Sequence, residues 1–237
     1  MMKCAVNIPT FTNLRRCACV FQVLRGVTVL SKDREFLWRR LHSLLGVVPV
    51  GLFLVFHLFL NFTAIGGEET YNNATGVMEL LPHSLLLAME WIIIYIPLMF
   101  HGFYGVYIAF TATYNTGRFS TFRNWMFALQ RFTGIFLVVF IAWHIFQTRI
   151  QKALGAEVEF NMMVEIVDNP LMLVFYILGI VSAAFHLANG LWSFLVSWGI
   201  VQSPKSQRIA SNLSLIFFVL LSIVGVVAIC SFYVMAA

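Results

Sequence analysis

The sequence is poor in charge: 11% of its residues are Asp, Glu, Lys or Arg, against 60% hydrophobic, with a mean hydropathy of +0.87. A water-soluble domain carries roughly twice that charged share, so the soluble globular class is excluded. Cysteine is equally scarce. Cys4, Cys17, Cys19 and Cys230 form no C-x-x-C pair, which leaves no thiolate cluster for iron–sulfur chemistry, and all four read as reduced thiols without a role. There is no glycine-rich flavin-binding fingerprint. No basic patch interleaved with aromatics points to nucleic acid.

What the chain does have is long apolar runs. Those near Leu41 to Phe62, His83 to Thr113, Asn124 to Gln151, Pro170 to Gly199 and Ile209 to Met235 each supply the roughly 20 residues that cross a bilayer as a helix. The fold expected is all-α, an integral membrane bundle of five transmembrane helices in residues 31–237. Barrel strands would be about 10 residues long and alternate apolar with polar, which these runs do not. Arg34, Arg39, Arg40, Arg118, Arg123, Lys205 and Arg208 fall on one side of the scheme. The opposite connections carry Glu68, Glu69, Glu79, Glu157, Glu159, Glu165 and Asp168, with only Arg149 and Lys152. The positive-inside rule then puts the N-terminus in the cytoplasm and the C-terminus outside. Residues 1–30 read as a flexible cytoplasmic tail or as the product of an early start codon. The apolar stretch from Val20 to Leu30 is broken by Arg25 and has no small-residue cleavage site, so it is not read as a signal peptide.

His57, His101, His144 and His186 each sit in a different apolar run. An imidazole in hydrocarbon is costly and marks a functional position by default. At about 1.5 Å per residue, His57 and His144 lie roughly 8 to 11 Å below the outer surface and His101 and His186 about 24 to 27 Å below it. The depths pair His57 with His144 and His101 with His186, about 15 Å apart in level. Two imidazoles reaching one level from different helices can ligate an iron on both faces of a porphyrin, so the pattern suits two bis-histidine haems stacked across the membrane. With no C-x-x-C-H sequence, such haems are held noncovalently. Full ligation leaves no open position and favours electron transfer. Zinc would want ligands converging on one tetrahedral site, and none cluster so. Gly179, Ser182, Ala183 and Gly190 around His186, and Gly105 beyond His101, offer room for a porphyrin or for close helix packing.

His42 follows Arg39 and Arg40 near the inner pair and reads either as a propionate or quinone contact or as positive-inside anchoring. Arg131, one or two turns inside its helix, needs a partner, for which an inner propionate is one candidate. Glu90 is the acidic residue well within an apolar run. It precedes His101 by eleven residues, about three turns, which would put both on one face, with Glu90 level with the outer pair. There it could exchange protons with a quinone, or serve as a hydrogen-bonded structural carboxyl. Pro97 between them is expected to kink the helix. A haem-free transporter with a His/Glu proton relay and a purely structural anchor are the readings of another class. The five dissimilar helices show no inverted repeat, which counts against the transporter.

The runs Arg34-Glu35-Phe36 with Arg39-Arg40-Leu41-His42-Ser43-Leu44-Leu45-Gly46, Phe122-Arg123-Asn124-Trp125-Met126 with Gln130-Arg131, Trp143-His144 with Gln147-Thr148-Arg149-Ile150-Gln151, and Phe185-His186 with Asn189-Gly190-Leu191-Trp192-Ser193 occur together. From Ser31 onward the chain resembles the single-chain cytochrome b anchors of succinate:menaquinone oxidoreductases and fumarate reductases. The resemblance implies a membrane subunit carrying two haems b in the bacterial cytoplasmic membrane. It implies axial ligands at His57 and His144 (outer haem) and at His101 and His186 (inner haem). It also implies a flavoprotein and an iron–sulfur subunit at the cytoplasmic face, and menaquinone near the outer haem, where Glu90 stands. Such a subunit belongs to an oxidoreductase but does not act on succinate alone. The direction, succinate oxidation or fumarate reduction, is not written in these residues.

Overall fold

A computed structural model describes residues 34–156 and 159–236. The tail to residue 30, Cys4, Cys17, Cys19 and Glu157 lie outside the described residues. Five helical stretches are long and apolar enough to cross a membrane: Arg34–Gly66, His83–Thr111, Phe122–Ala153, Pro170–Ser197 and Pro204–Met235. These match the five expected runs: the first, third and fifth helices reach further than expected, and the second and fourth stop two residues short of Thr113 and Gly199. The described residues contain no strand.

By internal contact the chain divides after Leu41. In the first unit residues 34–41 are helical, and Arg39 pairs with Glu35 at 2.7 Å across one turn. The second unit, from His42, carries helices α1 (Pro49–Phe62), α2 (Glu68–Gly76), α3 (His83–Thr111), α4 (Phe122–Ala153), α5 (Phe160–Val167), α6 (Pro170–Ser197) and α7 (Pro204–Met235).

The helix starts follow local chemistry. The Thr121 hydroxyl accepts from the Asn124 amide at the head of α4, and the Asn169 side chain accepts from the Leu171 amide ahead of α6. Pro170 and Pro204 take first-turn positions, where no N–H is needed. Gly199, at φ 71°, ends α6 in the left-handed region, and the Ile200 amide closes back onto the Leu195 carbonyl at 3.0 Å.

The spans bury little inside the bundle, and side chains such as Phe103, Phe110 and Phe132 turn outward. That suits a protein whose solvent on these faces is lipid. Close approach depends on two glycines. A methyl group at Gly225 of α7 would run into Ile180 and touch Leu58, and one at Gly179 of α6 would run into Phe140. The densest core gathers at one end, where α2 and α5, short helices not expected from the sequence, fold over the bundle. Tyr71, Phe160, Met163, Val167 and Phe232 bury one another there, and the Phe160 amide donates to Asn72 Oδ1 at 3.0 Å. Helix α5 reads Phe-Asn-Met-Met-Val-Glu-Ile-Val, and Phe160, Met163 and Val167 fall on its buried side at helical spacing.

Candidate functional site: two histidine pairs and an ion pair

His101 on α3 and His186 on α6 meet with ring centroids 6.0 Å apart and planes 89° to each other. His101 Nδ1 lies 3.0 Å from the His42 carbonyl oxygen, and His186 Nδ1 lies 3.1 Å from the Gln130 carbonyl oxygen. A carbonyl can only accept, so both Nδ1 atoms carry the proton and both Nε2 atoms keep a lone pair. This is how metal-binding imidazoles are generally oriented. Gly46 and Gly134 make room for the rings: a methyl group at Gly46 would overlap His101, and one at Gly134 would come within 3.0 Å of His186 Cε1.

His57 on α1 and His144 on α4 meet with ring centroids 5.8 Å apart at 71°. His144 Nδ1 lies 3.4 Å from the Tyr176 hydroxyl, which donates its proton to Gln147 Oε1 at 3.2 Å. The hydroxyl therefore accepts from His144 Nδ1–H, again leaving Nε2 with its lone pair. His57 stacks on Phe53, and the Asn61 amide donates to the His57 carbonyl at 2.8 Å. Tyr176 touches His144, and His186 follows ten residues later on α6. The two pairs are thus about 15 Å apart along the bundle.

A metal–imidazole bond is about 2 Å, so two bonds in line plus the half-width of each ring span about 6 Å between centres. Both pairs have that spacing. No group of three or more His, Cys, Asp or Glu side chains converges among the described residues. Each pair would offer two imidazole nitrogens to a group that brings further metal ligands of its own.

The glycine stripe around His186 plays a packing part: Gly179 sits under Phe140, and a methyl group at Gly190 would come within 3.3 Å of Gln130 Nε2. His42 lies flat on His101, ring centroids 4.1 Å apart and 3° from parallel, with Gly105 opposite it. Arg131 lies with its guanidinium carbon 3.5 Å from the Phe127 ring centre and 5.1 Å from that of Tyr114. Two aromatic faces thus accommodate its charge by cation–π contact.

Glu90 is ion-paired. Arg149 Nε and Nη2 both reach Glu90 Oε2, at 3.1 and 2.9 Å, with both side chains partly buried. Each partner stands on a π-helical segment, Glu90 opening Glu90–Tyr95 in α3 and Arg149 lying in Phe146–Ile150 of α4. A π turn holds an extra residue, so the three-turn count that stacks Glu90 over His101 on an uninterrupted α-helix does not apply. Pro97 follows two residues after the π segment of α3. It takes a first-turn position of the α-helical stretch Ile96–Thr111 behind that segment, where its missing N–H costs least.

Sequence reasoning missed Tyr176 and Gln147 beside His144, Thr133 at 3.4 Å from His186 Nδ1, and the pairing of Arg149. The available signal was a polar side chain inside an apolar run, which must find a partner.

Residues 111–227 match the family described as Succinate dehydrogenase/Fumarate reductase transmembrane subunit. The chain is 53% identical over 203 residues to the "Succinate dehydrogenase cytochrome b558 subunit" of Bacillus subtilis (strain 168), an alignment covering 86% of this chain and 100% of that relative. With its five long apolar helices it is a multi-pass protein of the bacterial cytoplasmic membrane. The chain belongs to the succinate dehydrogenase/fumarate reductase family of transmembrane subunits, the membrane part of an oxidoreductase complex that does not act on the dicarboxylate by itself.

Proposed function

We propose that the chain binds two haems b, one between His57 and His144 and one between His101 and His186, and links an iron–sulfur partner at one membrane face to menaquinone near the other. The observation that carries this reading is the shared geometry of the pairs: ring centres 5.8 and 6.0 Å apart, with Nδ1 engaged on His101, His144 and His186. A haem ligated on both faces supplies one-electron transfer without an open coordination position. The protein's own work is to hold the imidazoles at two levels and to fix the tautomers of His101, His144 and His186.

Arg118, Arg123, Lys205 and Arg208 mark the cytoplasmic end by the positive-inside rule, and the iron–sulfur and flavoprotein subunits dock on that side of the membrane. His42 and Arg131 stand towards this end and serve the inner propionates. Glu90 and Arg149 serve menaquinone at the other end. The carboxylate takes or gives the proton at Oε1, the oxygen that Arg149 does not bond, while the guanidinium holds Oε2 in place. Succinate oxidation is the physiological direction favoured by the relative's name.

The test is a reduced-minus-oxidised optical spectrum and redox titration of the purified complex, with identification of copurifying subunits. Two b-type components with different midpoints are expected. A complex without a b-type signal would replace this reading with a haem-free one, in which the histidines and Glu90 relay protons.

A further inference from the structure

A cavity of about 380 Å³ opens at the basic end between α4, α6 and α7, away from both histidine pairs. Its polar walls carry Arg123 from the first turn of α4 and Arg208 and Asn212 from α7, and its aromatic walls are Phe122 and Trp192. Neither arginine has a carboxylate within ion-pair distance among the described residues. The Arg123 guanidinium lies 3.6 Å from the centre of the Trp192 ring. The indole is itself fixed, its Nε1–H donating to the Gln207 carbonyl at 3.2 Å. A guanidinium stacked in this way is held by its face and keeps its in-plane N–H edge for an acceptor. This stacked cation on α4 and the exposed Arg208 on α7, lining one volume of this size, form a receptor for a tetrahedral oxyanion.

The wall below settles what bears that anion. Leu215 lines the same cavity, 39% exposed and eleven residues after Pro204, about 16 Å along α7 from its start. The cavity thus passes from cations at headgroup level to an apolar wall at acyl-chain depth. A soluble anion or an acidic protein surface uses only the upper part, whereas an anionic phospholipid uses both.

We infer that the cavity between α4, α6 and α7 is a binding site for one anionic phospholipid, its phosphate held by Arg123 and Arg208 and an acyl chain lying along Leu215. The inference is independent of the haem and quinone reading.

The test uses the whole complex, extracted in mild detergent and exchanged into nanodiscs of phosphatidylglycerol and phosphatidylcholine, with retained lipid counted by mass spectrometry. Phosphatidylglycerol is expected to be retained preferentially. Arg208→Gln should lower its retention about tenfold, the order expected for one lost charge-assisted contact. Arg123→Gln with Arg208→Gln should lower it further. Arg118→Gln, at the same end but outside the cavity, should leave it unchanged. Because Arg123 also packs Trp192, the exposed Arg208 variant carries the test alone, with helix content by circular dichroism as the check on folding. Equal retention of both lipids, or full retention in the Arg208 variant, overturns the assignment. So does displacement of the lipid by millimolar inorganic phosphate, which would make this a soluble-anion site. Loss of copurifying subunits from the Arg208 variant while lipid is kept would make it a protein-docking surface, and equally overturns it.

Discussion

Glu90 and Arg149 form a side-on ion pair 2.9 Å long in which each partner stands on a π-helical segment of its own helix. Such segments occur mostly at functional positions, because their cost must be offset by something the regular helix could not place. Here the widened turns bring a carboxylate on α3 against a guanidinium on α4.

If the pair acts as one unit, Glu90→Gln and Arg149→Gln should each depress menaquinone turnover about tenfold or more while leaving succinate–dye activity intact. The double variant should lose little beyond either single one. Strictly additive losses, or normal quinone turnover in Glu90→Gln, would remove the pair from the quinone reaction.

The histidine pairing predicts which signals vanish together. His57→Ala and His144→Ala should each abolish the same optical component and spare the other, and His101→Ala and His186→Ala should do the reverse, as read by redox titration. Loss of the His101 component in His144→Ala would contradict the pairing.

A methyl group at Gly46 would overlap the His101 ring, and one at Gly134 would already press on His186, so the branched side chain of valine would displace either imidazole. Gly134→Val and Gly46→Val should therefore cost the component of His101 and His186 alone, seen as half the haem per protein. Gly102→Ala, with open space at that position, should retain both.

Tyr176→Phe removes the oxygen that accepts from His144 Nδ1–H. Outer partners of ligating histidines tune affinity by about 10- to 100-fold. The His57/His144 component should shift in midpoint by roughly 60 mV or more, the one-electron equivalent of a tenfold change, with the other component unmoved. An identical midpoint would show that the hydroxyl does not orient this ligand.

Tyr71, in α2 outside the spans, is buried, and desolvation raises its phenol above the usual value of 10.0. The folded state holds this proton more tightly than the unfolded chain. Its contribution is therefore complete below pH 10 and fades as pH rises through the folded value. Hydrogen exchange should show the α2/α5 cap loosening in alkali, a dependence that Tyr71→Phe flattens. Equal alkaline loosening in Tyr71→Phe would assign it to other groups.

The five long helices were legible because twenty consecutive apolar residues have few other stable arrangements. The proximity of His57 to His144 and of His101 to His186 was legible for a related reason: alternating direction converts sequence position into depth. What the apolar pattern could not carry were the local departures from α geometry. A π turn has no composition of its own, so the meeting of Glu90 with Arg149 was hidden, and Arg149 read as a loop cation. The caps α2 and α5 were too short to stand out beside the spans. Tyr176 stayed invisible because its role depends on the rotation of α6 against α4, which hydropathy does not report.

The two pairs differ in what holds their tautomers. His101 and His186 lean on main-chain oxygens, those of residues 42 and 130, whereas His144 leans on the side-chain hydroxyl of Tyr176. No exchange of one side chain deletes a peptide oxygen, but a single base change can delete a phenol. One centre is therefore inherited with the helix itself and buffered against drift, and the other is open to adjustment one mutation at a time. Among relatives living on quinones of different potential, variation should collect around the second.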